Sequence, residues 1–222
     1  MRVIFIFVDG VGLGEPAPEN PFTFTETPFL RTLLQGNPLT REMSGFHDEK
    51  ATLRGIDARL GVEGLPQSAS GQAALFTGTN APGLLGYHLN GFPNPTLRRL
   101  LTEKGIFALL RDEGYRCAFV NAYRPAFFEQ LEEGLPGRRH SCSTLITYYG
   151  GLPFYNLEDL KAGKALYMDL TNELLQRMGF SVPQITPEEA GKRLADIGRE
   201  FDFSLFEYFL SDYAGHLASR EE

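Results

Sequence analysis

The chain is poor in the features that would place it outside the cell, in a membrane or on nucleic acid. It has only two cysteines in 222 residues, Cys117 and Cys142, with no CxxC spacing. That argues against a disulfide framework and fits structural thiols in a reduced compartment. The one N-terminal apolar run, Val3 to Val8, ends in a carboxylate and is far too short for a signal segment or a membrane span. A cytoplasmic protein with no membrane partner is expected. No block of Lys or Arg forms a stripe and the formal net charge is −7, so nucleic acid is not an expected partner either. Low-complexity segments and fixed-period repeats are absent.

What remains describes a folded enzyme-sized domain. A hydrophobic content of 42% with 18 Phe is that of a globular chain, and 222 residues suffice for one buried core. A single domain over 1–222 is expected, with room for a cap or insertion within 93–200. "RVIFIFVDG" is apolar without alternation and closed by Gly, the pattern of a strand buried on both faces of a parallel sheet. "YRCAFVNAY" and "DFSLFEYFLSD" read as further strands. Between them, "NPTLRRLLTEKGIFALLRDEGY" has helical spacing with a break at Gly105 and a stop at Gly114. "TPEEAGKRLADIGREF" starts a helix with Thr186 as N-cap and Pro187 at its first position. Strands alternating with helices predict an α/β fold, a mainly parallel central sheet with helices on both faces. Ligands of such sheets bind outside the carboxyl ends of the strands, where Asp9 and Asp212 fall.

Three stretches carry candidate chemistry. In "FVDGVGLGEP" the glycines do not match G-x-G-x-x-G, and Pro16, Pro18 and Pro21 exclude the helix that a dinucleotide fingerprint opens. Asp9 is then either a turn former or a ligand. In "LPQSASGQAALFTGTNAP" a run of small residues reads as a short helix from Ser68 to a closing Gly78. A serine there is either an ordinary N-cap or, at the positive end of the helix, a nucleophile toward a phosphoryl group. Pro66 and Ser70 replace the glycines of an α/β-hydrolase elbow. In "SDYAGHLASREE" Asp212 and His216 share one face of a helical turn, and mixed carboxylate and imidazole donors suit Zn²⁺ or Mn²⁺ better than Ca²⁺. Alone, such a pair is more often a solvated helix face.

Taken together and in order, "FIFVDGVGLG", "GLPQSASGQAALFTGTNAP" and "FEYFLSDYAGH" resemble the alkaline phosphatase superfamily. The likeness is to its smaller metalloenzyme-domain proteins, related to cofactor-independent phosphoglycerate mutase and phosphopentomutase. It is tight at these stretches and loose from Pro93 to Phe201. It implies an alkaline-phosphatase-like fold and a phosphatase, phosphodiesterase or phosphomutase acting on a small phosphorylated substrate. It also implies two divalent metal ions, Mn²⁺ or Zn²⁺, in a complete site. Ser68 matches the nucleophile that becomes a phosphoenzyme, and also a metal ligand. Asp9 matches the carboxylate sharing that metal, while Asp212 and His216 match two ligands of the other. Asn90 resembles a phosphate-contacting Asn of the phosphodiesterases, at an offset one residue long. Tyr123 and Arg124, beyond the "CAFVNA" strand, face the same edge as candidate substrate contacts.

The chemistry agrees with the resemblance. A serine hydroxyl is a weak nucleophile at neutral pH, and coordination to a dication favours its alkoxide. Carboxylates gathered without a cation would repel by about 4 kcal/mol at about 4 Å with an effective dielectric near ~20. The family's "DHG" pair and later His lie downstream of the D-x-x-x-H element, and His47, His88 and His140 match neither. The expectation is therefore a C-terminally incomplete fold that binds at most one ion, weakly, is inactive as it stands, and self-associates through an incomplete sheet edge. A sulfatase is disfavoured because Ala69, Ser70, Gly71 and Gln72 follow Ser68 in place of the x-Pro-x-Arg signature. The alternative from another class is a non-catalytic interaction or regulatory protein that keeps the fold.

Overall fold

A computed structural model describes residues 1–132 and 139–217 of the chain. It is an α/β protein built on a three-stranded parallel sheet in the order β1-β3-β2, with β1 Val3–Val8, β2 Cys117–Phe119 and β3 Phe203–Tyr208. β1 pairs with β3 from Val3 opposite Phe203 to Val8 opposite Tyr208, and β2 pairs with β3 from Cys117 opposite Phe203 to Phe119 opposite Leu205. All three strands therefore point their carboxyl ends to one edge.

Alternation along the strands divides the core into two layers. Phe5, Phe7, Cys117, Phe119, Phe203 and Leu205 face a layer of three helices, Ser68–Thr77, Pro95–Lys104 and Cys142–Tyr149. The Phe76 ring fills this side, edge-on to Phe5 at 6.3 Å and to Phe7 at 6.1 Å. On the opposite face Phe206 and Tyr208 pack against Ala190, Leu194 and Ile197 of the helix Pro187–Glu200. That helix starts as its sequence predicts, with a capping box between Thr186 and Glu189. The expected break at Gly105 is also found, between the helices Pro95–Lys104 and Ile106–Asp112, and Gly114 follows with φ +83°.

One expectation is corrected. β1 is an edge strand and is not buried on both faces. Gly198 lets the helix Pro187–Glu200 close on Ile4, since a Cβ there would stand 2.4 Å from Ile4 Cδ1. Beyond that contact Ile6 and Val8 are 53% and 39% exposed. β2 and β3 are buried on both faces, although β3 carries Ser204 and Glu207, each 0% exposed. An apolar run reports what a strand can bury, while the elements packed around it decide what it does bury.

The chain forms two compact units, Met1–Gly10 with Arg59–Glu222, and Val11–Ala58. Residues 93–200 lie within the first. The second holds the helices Pro21–Phe24 and Pro28–Leu33 and a bridge between His47 and Thr52, with Arg41 and Glu15 ion-paired at 2.7 Å. No helix among the described residues is long and apolar enough to cross a membrane, and both cysteines are free and buried.

Candidate functional site

Asp9 lies one residue past β1. Its amide continues the ladder by donating to Tyr208 O at 3.0 Å, and its carbonyl accepts from Ser211 Oγ at 2.6 Å. Gly10 then turns the chain away with φ +75°, passing so close to the helix Leu210–Leu217 that a Cβ would lie 2.7 Å from Asp212 Cα. The two carboxylates are thereby gathered at the end of the β1–β3 pair. Burial pushes the Asp9 carboxyl above its ordinary range, and the charge of Asp212 pushes it further. Hydrogen bonds from the Gly10 amide, Ser68 and Gln72 pull the other way. His216 is on the same helix face as Asp212, with Nε2 at 3.4 Å from Asp212 Oδ1.

Ser68 is the first residue of its helix, not the cap. The N-cap is Gln67, without a side-chain cap bond, and Gly78 closes the helix in the left-handed region at φ +64°. The Ser68 side chain lies near enough to the Asp9 carboxyl to hold its pKa down against the effect of burial. The Ser70 amide in the same turn is taken by Leu89 O at 3.2 Å, and Ser70 Oγ accepts from Leu89 N at 3.0 Å. Asn90, the next residue, is exposed beside this first turn.

Asp9, Ser68, Asp212 and His216, distant in sequence, thus converge at one sheet edge. Among the described residues, no three His, Cys, Asp or Glu side chains stand close enough to enclose a metal ion. The fit is partial. Two carboxylates crowd together where one is desolvated and raised by the other's charge, as suits a cation, and one imidazole stands beside them.

Tyr123 and Arg124 belong to a neighbouring cavity of about 310 Å³ at the carboxyl ends of β2 and β3. Tyr123 stacks on Phe127 at a centroid distance of 4.0 Å, and its hydroxyl meets Thr144 Oγ1 at 2.8 Å. Burial raises the Tyr123 phenol. Arg124 is exposed at this cavity and touches Met178 Sδ at 3.4 Å; no carboxylate among the described residues pairs with it.

Three residues not singled out from the sequence complete the surroundings. Glu207, wholly buried in β3, accepts from Gln72 Nε2 at 2.8 Å and from Ser143 Oγ at 2.5 Å, and it lines the cavity. Burial raises its pKa to about 8, and Asp9 adds to the rise. The only signal of Glu207 in the sequence is a lone charge in the apolar stretch "FSLFEYFL". Gln72 and Ser143 are ordinary helix residues by pattern.

Comparison with protein-family models, curated proteins and solved structures gives no match for the chain.

Proposed function

We propose that the protein belongs to the metal-dependent phosphoryl-transfer enzymes of alkaline-phosphatase type, with Ser68 as nucleophile. The observation that carries this reading is the placement of Ser68: a serine at the first position of a helix, beside the buried Asp9 carboxyl, with Asp212 close to Asp9 and His216 beside Asp212. The three-motif resemblance supports it from the sequence side.

Asp212 and His216 would offer two donors to one divalent cation, Mn²⁺ or Zn²⁺, and Asp9 with Ser68 two donors to another. When bound, such ions would neutralise the carboxylates and the phosphoryl oxygens and would lower the cost of deprotonating Ser68. Asp9 orients the Ser68 hydroxyl. Of the amides in the first turn of this ten-residue helix, that of Ser70 is taken by Leu89 O, and those of Ser68 and Ala69 would meet the phosphoryl group. Ser68 Oγ gives up its proton to solvent and forms a bond to phosphorus, the bond to the leaving oxygen breaks, and that oxygen takes a proton from solvent. Water or an acceptor hydroxyl then releases the phosphoryl group from the serine. The cavity holding Tyr123 and Arg124 takes the rest of the substrate, with the Arg124 guanidinium as its cation, and Asn90 contributes at the helix start.

The deciding experiment measures hydrolysis of a panel of phosphomonoesters and phosphodiesters with Mn²⁺ or Zn²⁺, with mass-spectrometric trapping of phosphoserine. In place of the inactivity expected from the sequence, this reading takes the gathered residues to suffice for chemistry, so that metal-dependent turnover that disappears in Ser68→Ala, and a phosphate on Ser68, are expected. Turnover undiminished in Ser68→Ala, or none on any ester at saturating metal, overturns the reading.

A second reading, an interaction or regulatory protein on the same fold, draws on the exposed apolar stripe of Ile4, Ile6 and Val8 along the β1 edge. Cation binding without turnover, together with self-association through that edge, is its signature.

A further inference from the structure

Two buried carboxyl groups face the helix that carries Ser68, and a single side chain joins them. Gln72 lies one turn beyond Ser68 and is 3% exposed. Its Nε2 donates to Glu207 Oε1 at 2.8 Å and to Asp9 Oδ2 at 3.4 Å. An amide nitrogen has two hydrogens, so one group serves both acceptors at once. The other oxygen of Glu207 is held by Ser143, from the helix Cys142–Tyr149. The backbone beneath Glu207 is pinned by Asn121, which accepts from the Glu207 amide at 2.9 Å and donates to its carbonyl at 2.7 Å. Glu207 is therefore the fixed end of the chain and Asp9 the end that faces the candidate nucleophile.

This arrangement selects one orientation of the amide. Turned over, the Gln72 oxygen would face the Asp9 carboxyl oxygen that the amide now bonds. Glu207 Oε1, seated in the central strand, accepts from the same amide nitrogen and supports the same orientation. Asp9, at the end of an edge strand, has its Oδ1 bound to the adjacent Gly10 amide at 3.0 Å. Its Oδ2 depends on a bond from outside its own turn.

We propose that Gln72 and Glu207 are positioning residues for the Asp9 and Ser68 pair: Glu207 fixes the Gln72 amide, and the amide holds the Asp9 carboxylate in the rotamer that faces Ser68. The consequence for turnover rests on the phosphoryl-transfer reading; the placement of Asp9 does not. A network that only satisfied buried polar groups would change stability when cut and leave the Asp9 rotamer and the kinetic split alone.

Three variants separate these cases. Gln72→Met keeps the volume and removes the donor. Glu207→Leu removes the acceptor. Glu207→Gln keeps a neutral acceptor for Gln72 while its own amide donates to Ser143. With Mn²⁺ and an aryl phosphate, Gln72→Met and Glu207→Leu are expected to lose roughly tenfold to a hundredfold in kcat with KM little changed, the scale of a misplaced reacting group. Glu207→Gln is expected to stay close to wild type. Wild-type kcat in Gln72→Met, or Glu207→Gln as impaired as Glu207→Leu, overturns the proposal. If the wild-type protein turns over no ester, the phosphoryl-transfer reading falls, and crystal structures decide the clamp separately. Asp9 rotated away from Ser68 in Gln72→Met supports it, and an unmoved Asp9 overturns it. Should Gln72→Met fail to fold, Gln72→Asn, which keeps the amide and shortens its reach, is read by the same two measures.

Discussion

Gly10 and Asp212 are in backbone contact. A Cβ on Gly10 would meet Asp212 Cα at 2.7 Å and Asp212 N at 2.9 Å, and the glycine is held at φ +75°. The approach of the β1 turn to the helix after β3, and with it the meeting of Asp9 and Asp212, requires a residue without a side chain. Gly10→Ala is expected to cost about 1–3 kcal/mol from the dihedral alone, and more because the neighbour in the way is backbone. Thermal unfolding measures the loss. An unchanged midpoint would show that the turn is free to relax and that the contact does not constrain the site.

Stability should fall as pH rises through the neutral range. The Glu207 carboxyl is raised from 4.5 to about 8 by burial, with Asp9 adding to it. The folded protein therefore holds a proton that the unfolded chain has released between those values. The penalty for ionising the buried group grows from pH 4.5 upward and is complete above about 8, on the order of a few kcal/mol. Asp9, raised as well, acts in the same direction. Urea midpoints from pH 5 to about 9 should decline in the wild type and flatten in Glu207→Gln. A wild-type profile as flat as the variant's would mean that Glu207 ionises in place without penalty.

The β1 edge should govern self-association. Ile6 is 53% exposed on a strand paired on one side only, and an apolar unpaired edge is a template for another chain. Ile6→Lys is expected to lower the sedimentation-average mass at high protein concentration while changing stability by no more than about 0.5 kcal/mol. Equal masses for variant and wild type across concentration would remove the edge from consideration.

The helix bearing Ser68 is anchored to the sheet chiefly by one ring. Phe76 is 1% exposed and packs edge-on against both Phe5 and Phe7. Phe76→Ala is expected to cost about 3–5 kcal/mol through lost burial and the cavity left behind. Denaturant unfolding gives the value. A cost below about 1 kcal/mol would indicate that the helix collapses onto the strands and does not depend on this ring.

The strands, the principal helices and the approach of Asp9 to Asp212 at one edge were legible because each depends on local pattern and on the common polarity of parallel strands. An apolar run closed by Gly, a capping box at Thr186 and Glu189, and a small-residue helix ending at Gly78 are written within a few residues of where they act. The role of Ser68 in its helix was less legible. As a serine at a helix start it suits capping, and only the extended backbone of Gln67 in the folded chain shows that the cap is one residue earlier.

Burial in the sheet and the inner partners of Asp9 depended on tertiary structure. β1 is the more apolar strand, yet it lies at the edge, while β3 takes the centre and carries Glu207 into the core. A carboxyl group can be buried there because Gln72 and Ser143 come from two other helices to meet it, at separations of 135 and 64 residues. The amino-acid order by itself determined which segments become strands and helices and to which edge their ends point, since those follow from short-range periodicity and caps. Which strand lies in the middle, and which buried polar groups find one another, was decided only when distant segments packed, because desolvated hydrogen bonds are satisfied in space and leave no period along the chain.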